Sequence, residues 1–288
     1  MRGAIDTHCH VGAWIPPKEV AYTVNPVSRQ MKSIEAVRDY LTCNGLEAAV
    51  LVPHYGINLE ELTLRTTHNV LIQIIEEVPK VFGGILVSPD ADWASVTSEI
   101  KDLAAHPKVV ALKVAPNTWK GASLDPESWN PHQRRRMERI LQLLVDHHLV
   151  LQTHTGGSGT SHPRTLSNFL AEFGSAICLH CVHMGGSSTG HFYFVPQFCE
   201  WMEQGVRVFC DCSLARPFAF RWLIEELQCR GLPLSNILFA SDEPWGSIAM
   251  EFTRIADLNL DKEQTVKILN GNARSLYHFE GLLPQKNP

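Results

Sequence analysis

The 288-residue sequence has no excess of basic residues and no long apolar run. Its 25 lysines and arginines against 30 aspartates and glutamates give a formal net charge of −5, so nucleic acid and anionic membranes are not expected as partners. No stretch approaches the roughly 18 consecutive apolar residues of a membrane-spanning helix. The first residues, Met1 to His8, also lack the apolar core of a secretion signal. We therefore expect a cytoplasmic location without a membrane span.

A disulfide framework and a flexible linker are not expected either. Eight cysteines in a chain of this length, without secretory features, are typical of reduced thiols. The sequence contains no low-complexity tract, and 44% hydrophobic with 19% charged residues is the composition of a folded chain. We therefore predict a single domain over residues 1–288.

Eight short β-branched runs alternate with helical patterns along the chain. The runs begin near Gly3, Glu47, Val81, Lys108, Leu149, Ala176, Val206 and Asn236. Helical patterns cover 33–44, 59–78, 92–105, 132–148, 163–173, 192–204, 218–230 and 261–279. The mean strand spacing of about 33 residues matches a βαβ unit and predicts an α/β fold, a (β/α)8 TIM barrel. An open doubly wound sheet is the alternative, but no Gly-x-Gly-x-x-Gly follows the first strand.

Candidate metal ligands are found on or after the predicted strands. His8 and His10 are two residues apart on the first strand, so their rings point to one face. Such a pair alone is weak evidence, because core histidines bonded to the backbone show the same spacing. His154, His183 and Asp242 end strands five, six and eight, where the active sites of (β/α)8 barrels gather. Imidazoles with a carboxylate suit zinc or a similar divalent ion.

Five short segments extend this pattern: IDTHCH, LVLQTHTGG, HMGG, FASDEPWG and ILNGNARSLY. Together they cover nearly the whole chain and resemble the amidohydrolase superfamily, in particular its amidohydrolase 2 group, which includes aminocarboxymuconate-semialdehyde decarboxylase. The resemblance implies that His8, His10, His154 and Asp242 hold the metal. It further implies that His183 lies beside the bound water as an acid, base or orienting group, and that Asp242 is also catalytic.

Lys113 lies near the end of the fourth strand, and two roles are open for it. In two-metal relatives a carboxylated lysine on this strand bridges the ions. In the one-metal group, which the other motifs resemble more, the bridging role is absent, and Lys113 would be a substrate-facing ammonium or a salt-bridged lysine. We therefore predict one Zn²⁺ per chain, with a two-metal site bridged by carboxylated Lys113 as the alternative.

Residues in the loops after the strands are candidates for substrate binding. The candidates that could pair with a substrate carboxylate are His54, Arg164 and Arg216. A surface salt bridge is the alternative for each of them. The aromatic candidates, which would flatten a pocket against a planar substrate, are Trp14, Trp119 and Trp245.

Two histidine- and cysteine-rich features are predicted to be structural. Cys178 and Cys181 are three residues apart on a strand and should face opposite sides, as buried thiols rather than as a chelating pair. His180 has the opposite parity from His183 and is therefore predicted to face the helices.

These features favour a metal-dependent hydrolase that attacks a small lactone, amide or ester through a metal-activated water, on a substrate that bears a carboxylate. The alternative is a lyase, a metal-dependent decarboxylase of an unsaturated or aromatic acid. The motifs do not distinguish the two reactions. Hydrolysis is preferred only because it is the more widespread reaction in the superfamily. A catalytically silent scaffold is a third interpretation, but it would be expected to have lost ligands, and all four are present. The expected partner is a small molecule, and a homo-oligomer is left open.

Overall fold

Eight parallel strands form one sheet in sequential order in the computed structural model, which describes residues 2–12, 31–54, 61–90, 96–279 and 282–283. The strands are β1 (Ile5–Val11), β2 (Ala48–Pro53), β3 (Val81–Val87), β4 (Val109–Val114), β5 (Val150–His154), β6 (Cys178–Val182), β7 (Val208–Asp211) and β8 (Ile237–Leu238). The helices are α1 (Ile34–Cys43), α2 (Glu61–Glu77), α3 (Val96–Ala104), α4 (Pro131–Asp146), α5 (Leu166–Phe173), α6 (Ser188–Glu203), α7 (Pro217–Cys229), α8 (Ile248–Ala256), α9 (Lys262–Val266) and α10 (Asn272–Leu276).

The sheet closes between its first and last strands. The backbone N–H of Thr7 donates to the carbonyl of Phe239 over 3.0 Å, and the N–H of Asp242 donates to the carbonyl of His8 over 2.9 Å. The N–H of His10 donates to Glu243 O over 2.7 Å, so β1 is joined to the segment that follows β8. The predicted (β/α)8 barrel is therefore confirmed.

The strands are apolar because both of their faces are covered. Every residue of β2 and β3 is buried, for example. Side chains on the outer face of the barrel pack under the helices and form the main core. A second core fills the barrel at the starts of the strands, where Phe279 stacks on Phe82 with ring centroids 4.3 Å apart. The C-terminal segment thus closes the barrel at the starts of the strands. A functional site is therefore expected at the opposite end, where the strands end.

Helix ends follow ordinary capping chemistry. The Ser33 side chain accepts from Ala36 N–H at the start of α1, and Asn130 forms a capping box with Gln133 at the start of α4. Each of these caps matches a helix that the sequence predicts. No helix in the described ranges is both long and apolar enough to cross a membrane.

The structure differs from the predicted helices at two places. Helix α8 was not predicted, although Ile248, Phe252 and Ile255 have the spacing of a helix face. The single helix predicted over 261–279 is interrupted by a π-helical turn, Lys267–Gly271, between α9 and α10. The connection between β4 and α4 contains two short 3-10 turns, Pro116–Thr118 and Pro126–Ser128.

Candidate metal centre

Five side chains predicted from the sequence meet at the carboxyl ends of the strands. Asp242 Oδ1 lies 3.2 Å from His8 Nε2, 3.1 Å from His10 Nε2 and 3.9 Å from His183 Nε2. The His154 ring is 5.0 Å from the His183 ring, centroid to centroid. The structure therefore brings together residues that are up to 234 positions apart in the sequence, as the barrel topology requires.

The donor geometry fits a divalent ion. The ligand atoms of His8, His183 and Asp242 all lie within 4.8 Å of one another. Two ligands that share one zinc ion at about 2.0–2.2 Å stand roughly 3.0–3.5 Å apart, close to the distances around Asp242. Nδ1 of His8 and Nδ1 of His154 are buried without a hydrogen-bond partner in the described part of the chain. The assignment of individual ligands nevertheless stays a prediction.

Burial keeps the imidazoles of this cluster neutral. It lowers the pKa of His10 to about 3, with the Lys113 charge as a second cause, and it lowers the pKa values of His8 and His154 well below the ordinary value. Burial raises the pKa of Asp242 to about 6, although His183 and Lys113 oppose the rise. Neutral imidazoles suit metal binding, since histidine ligates through a deprotonated nitrogen.

The junction of β1 with the segment after β8 contains a carboxylate that the sequence analysis missed. Asp6 is fully buried, and its carboxylate accepts from Tyr40 Oη over 2.5 Å and from Ser241 Oγ over 2.6 Å. It also accepts from the backbone N–H groups of Ser241 and His8. These bonds tie the strand that carries His8 to the segment that carries Asp242. The available signal was the aspartate within the IDTHCH segment itself.

Three residues around the site have left-handed backbone conformations: His183 (φ 74°), Leu214 (φ 52°) and Asp242 (φ 56°). Such conformations cost on the order of 1–3 kcal/mol each and persist only where the surroundings enforce them. The turn after His183 is enforced by close packing, because a Cβ on Gly190 would lie 2.0 Å from the carbonyl oxygen of Gly185. The packing of the HMGG segment thus fixes the backbone conformation from which the His183 side chain projects.

His183 is backed by a buried chain of hydrogen bonds. Its Nδ1 lies 2.8 Å from Ser213 Oγ, which in turn lies 2.5 Å from Asp211 Oδ1. On the other side of Asp211, Oδ2 lies 2.9 Å from His180 Nε2, and His180 Nδ1 lies 2.8 Å from the Tyr277 hydroxyl. Asp211 and Ser213 were not predicted from the sequence, although Asp211 ends β7 and opens an Asp-Cys-Ser segment.

The prediction that His180 faces the helices was wrong. Strand β6 ends at Val182, and His183 belongs to the turn that follows, so strand alternation does not relate the two histidines. His180 pairs in register with Gln152 and binds Asp211 inside the barrel. Cys178 and Cys181 do belong to different cores, on opposite faces of β6.

Lys113 and His54 are buried next to the histidine cluster. Lys113 is fully buried, and its Nζ has no hydrogen-bond partner among the described residues. Burial lowers its pKa to about 7. The His54 ring stacks on His10 with centroids 5.1 Å apart, and burial lowers its pKa to about 3. The bridging role and the substrate roles of these residues stay predictions.

A cavity of about 280 Å³ opens above the cluster. It is lined by His10, His154, His183, Leu214, Asp242 and Trp245. Trp245 also contacts His54 edge-on, with ring centroids 5.9 Å apart. Trp245 is thus the predicted aromatic residue that reaches the cavity.

The other predicted substrate residues lie elsewhere in the structure. Trp119 is buried in the main core, and the side chains of Arg164 and Arg216 are exposed. None of these three lines the cavity as the described residues define it. Trp14 lies outside the described residues. A role in substrate binding stays a prediction for all four.

The fold and the site define a class, the (β/α)8 barrels that gather a divalent metal site at the carboxyl ends of their strands. The amidohydrolase family model matches residues 5–279, and the chain belongs to this family. It is therefore a metal-dependent enzyme of the amidohydrolase fold, as the sequence motifs indicate.

Solved structures with this fold include enzymes of two reaction types. A dihydroxybenzoic acid decarboxylase from Polaromonas, with bound manganese and 2-nitroresorcinol, matches with a TM-score of 0.70 at 14% identity over 97% of this chain and 98% of that chain. A 2,6-dihydroxybenzoate decarboxylase from Rhizobium matches with a TM-score of 0.68 at 15% identity, over 98% and 100%.

A protein from Acinetobacter baumannii described as a probable 2-pyrone-4,6-dicarboxylic acid hydrolase, with citric acid bound, matches with a TM-score of 0.65 at 14% identity, over 96% and 100%. At these identities the matches show a shared fold. None of the curated proteins compared with the chain matches it.

Proposed function

We propose that the protein is a metal-dependent hydrolase of a small, carboxylate-bearing carbonyl compound such as a lactone. The observation that carries the proposal is the convergence of His8, His10, His154, His183 and Asp242 beneath one cavity, which all of them except His8 line. The cavity volume of about 280 Å³ is near the lower end of ligand pockets, roughly 300–1,000 Å³, and favours a small substrate. The protein from Acinetobacter described as a probable pyrone dicarboxylate hydrolase supports this substrate class by analogy of fold.

The proposed metal ligands are His8, His10, His154 and Asp242, and the proposed ion is a single Zn²⁺. A divalent ion bound there would lower the pKa of a coordinated water to about 7 and would polarise a carbonyl group. Nitrogen-rich donor sets of this kind suit zinc, although the fold relative from Polaromonas contains manganese. Metal analysis and reloading with Zn²⁺ or Mn²⁺ would decide between the two ions, and a content near two would favour the bridging role of Lys113.

The acid–base work is proposed for Asp242 and His183. The Asp242 carboxylate accepts the proton of the attacking water, because burial raises its pKa to about 6 and so increases its basicity. His183 Nε2, 3.9 Å from Asp242 Oδ1, receives that proton and passes it to the leaving oxygen. Trp245 and Leu214 flank the substrate on the apolar side of the cavity.

Decarboxylation of an aromatic acid is the second candidate. The specific observation in its favour is again Asp242, because a carboxyl group with a pKa of about 6 is partly protonated near neutral pH. Such a group could protonate a ring carbon as carbon dioxide leaves. The dihydroxybenzoate decarboxylases from Polaromonas and Rhizobium support this candidate by analogy of fold.

One assay separates the two reactions. The metal-loaded protein is incubated with a panel of pyrone lactones and hydroxybenzoates that carry ¹³C in the carboxyl group. Hydrolysis consumes the lactone without releasing labelled carbon dioxide, whereas decarboxylation releases it. The Asp242→Asn variant is the matched control, and turnover that survives in this variant comes from a contaminant or from a different site. Equal turnover by wild type and chelated protein would contradict both candidates.

The cytoplasmic location is also part of the proposal. All eight cysteines are free thiols, and six of them are buried. This pattern supports a reducing compartment. Fractionation of the source cells would test it.

A further inference from the structure

We propose that Asp211 and Ser213 are positioning residues for His183, and that they hold its ring with the proton on Nδ1 and the lone pair on Nε2. The proposal deepens the proposed function, on which it rests, because Nε2 is the nitrogen nearer to Asp242.

The first step fixes Asp211 Oδ1 as an acceptor. This oxygen accepts from the backbone N–H of Ser213 over 2.9 Å and from the backbone N–H of His183 over 3.3 Å. A carboxyl oxygen that faces two amide protons carries no proton of its own. The Ser213 hydroxyl, 2.5 Å from the same oxygen, must therefore donate its proton to Asp211.

The second step fixes the tautomer of His183. A serine hydroxyl has one proton, and Ser213 has already given it to Asp211. Its oxygen therefore accepts at the 2.8 Å contact with His183 Nδ1. The carbonyl oxygen of Ser213 lies 3.3 Å from the same nitrogen and can only accept. Nδ1 faces two acceptors and carries the proton, so the neutral ring has its lone pair on Nε2.

The third step explains why Asp211 stays in place. His180 Nε2 holds Oδ2 over 2.9 Å, and Tyr277 holds His180 Nδ1 over 2.8 Å. The Gln152 side-chain amide donates to the Tyr277 hydroxyl over 2.7 Å. His180, Asp211, Ser213 and Gln152 are all fully buried, so the arrangement does not compete with solvent.

A free Nε2 lone pair is required in either role of His183. A metal ligand needs the lone pair for the ion, and a base needs it for the proton. Buried partners that fix the tautomer of an active-site histidine typically contribute 10–100-fold in metal affinity or activity. Asp211 and Ser213 would make this contribution without touching the substrate.

The experiment measures the tautomer of His183 by two-bond ¹H–¹⁵N correlation spectra of ¹⁵N-histidine-labelled protein. The spectra are recorded on the protein as purified and again after metal has been removed by a chelator. The His183 signal is assigned by its loss in His183→Gln. The wild type should show an Nδ1–H ring, and Ser213→Ala should shift the chelated ring toward Nε2–H. Ser213→Thr, which keeps the hydroxyl, should restore the wild-type pattern. Ser161→Ala, a buried serine whose hydroxyl contacts Ser158 O, is the control and should leave the pattern unchanged.

The proposal is overturned if wild-type His183 has the Nε2–H pattern, a result that needs no variant to fold. It is also overturned if folded Ser213→Ala keeps the wild-type pattern after chelation. We further expect Ser213→Ala to lose 10–100-fold in kcat on the substrate that the panel identifies, with a smaller change in KM and with recovery in Ser213→Thr. Because the spectra require no substrate, failure of every substrate would contradict the proposed function while leaving the tautomer result intact.

Discussion

Removing the Tyr40 hydroxyl should weaken the junction at which the barrel closes. This hydroxyl donates to Asp6 Oδ2 over 2.5 Å and is one of four donors to that fully buried carboxylate. A hydrogen bond to a charged group contributes about 1.5–3 kcal/mol. We therefore expect Tyr40→Phe to lower the free energy of unfolding by about 1.5–3 kcal/mol at pH 8, where Asp6 is ionised.

The loss should depend on pH in a defined direction. Burial raises the pKa of Asp6 to about 6, and hydrogen bonds from Ser241 and Tyr40 keep it from rising further. Without the Tyr40 donor the pKa of Asp6 in the folded state rises further, which costs stability above the wild-type folded-state pKa and none well below it. At pH 5 the carboxyl is mostly protonated in the folded protein, and the loss should shrink to the roughly 0.5–1.5 kcal/mol of a neutral hydrogen bond.

Urea unfolding at pH 8 and pH 5 measures both quantities. Tyr193→Phe is the matched control, because the Tyr193 hydroxyl makes one neutral contact of 3.4 Å with Ser167 Oγ. This control should lose less than about 1 kcal/mol at both pH values. A loss below about 0.5 kcal/mol for Tyr40→Phe at pH 8, or an equal loss at both pH values, would refute the reasoning.

Three further predictions concern the site. His8→Ala should remove most of the bound metal, because a catalytic zinc site has only three or four protein ligands; elemental analysis checks this, and unchanged metal content would reject the ligand set. Asp242→Asn should lower kcat by about 10²–10⁴-fold or more while the variant still folds, so a folded variant with wild-type activity would exclude Asp242 as the base. Trp245→Ala should raise KM more than it lowers kcat, since the indole lines the cavity. Steady-state kinetics measure both constants, with Trp119→Ala as the comparison. A change of KM in the Trp119 variant alone would contradict the prediction.

The barrel and the convergence of the candidate ligands could be predicted because both depend on periodic patterns. The strand spacing required a βαβ repeat, and the repeat places every strand end at one mouth. His8, His10, His154 and Asp242 therefore had to approach one another once the sheet closed. Helix α8 has the same kind of periodic apolar spacing and could have been predicted from it.

The surroundings of His183 could not be predicted in the same way. Alternation along a strand gives the direction of a side chain only while the strand lasts, and β6 ends one residue before His183. The left-handed backbone at His183, Leu214 and Asp242 occurs after the strands have ended, where alternation gives no direction. The chain from Ser213 to Tyr277 joins β7 to the C-terminal segment, and no local pattern indicates that contact.

The contact between His10 and Asp242 joins residues 232 positions apart. During synthesis the nascent chain therefore carries its histidine pair for nearly the whole of translation before the aspartate emerges. An ion held by both ends of the chain can bind fully only after β8 has docked on β1, and its binding energy then favours the closed barrel over any opened form. At a free metal concentration 100 times the dissociation constant, that contribution is about 2.7 kcal/mol. Metal supply would then set part of the stability of the closed barrel.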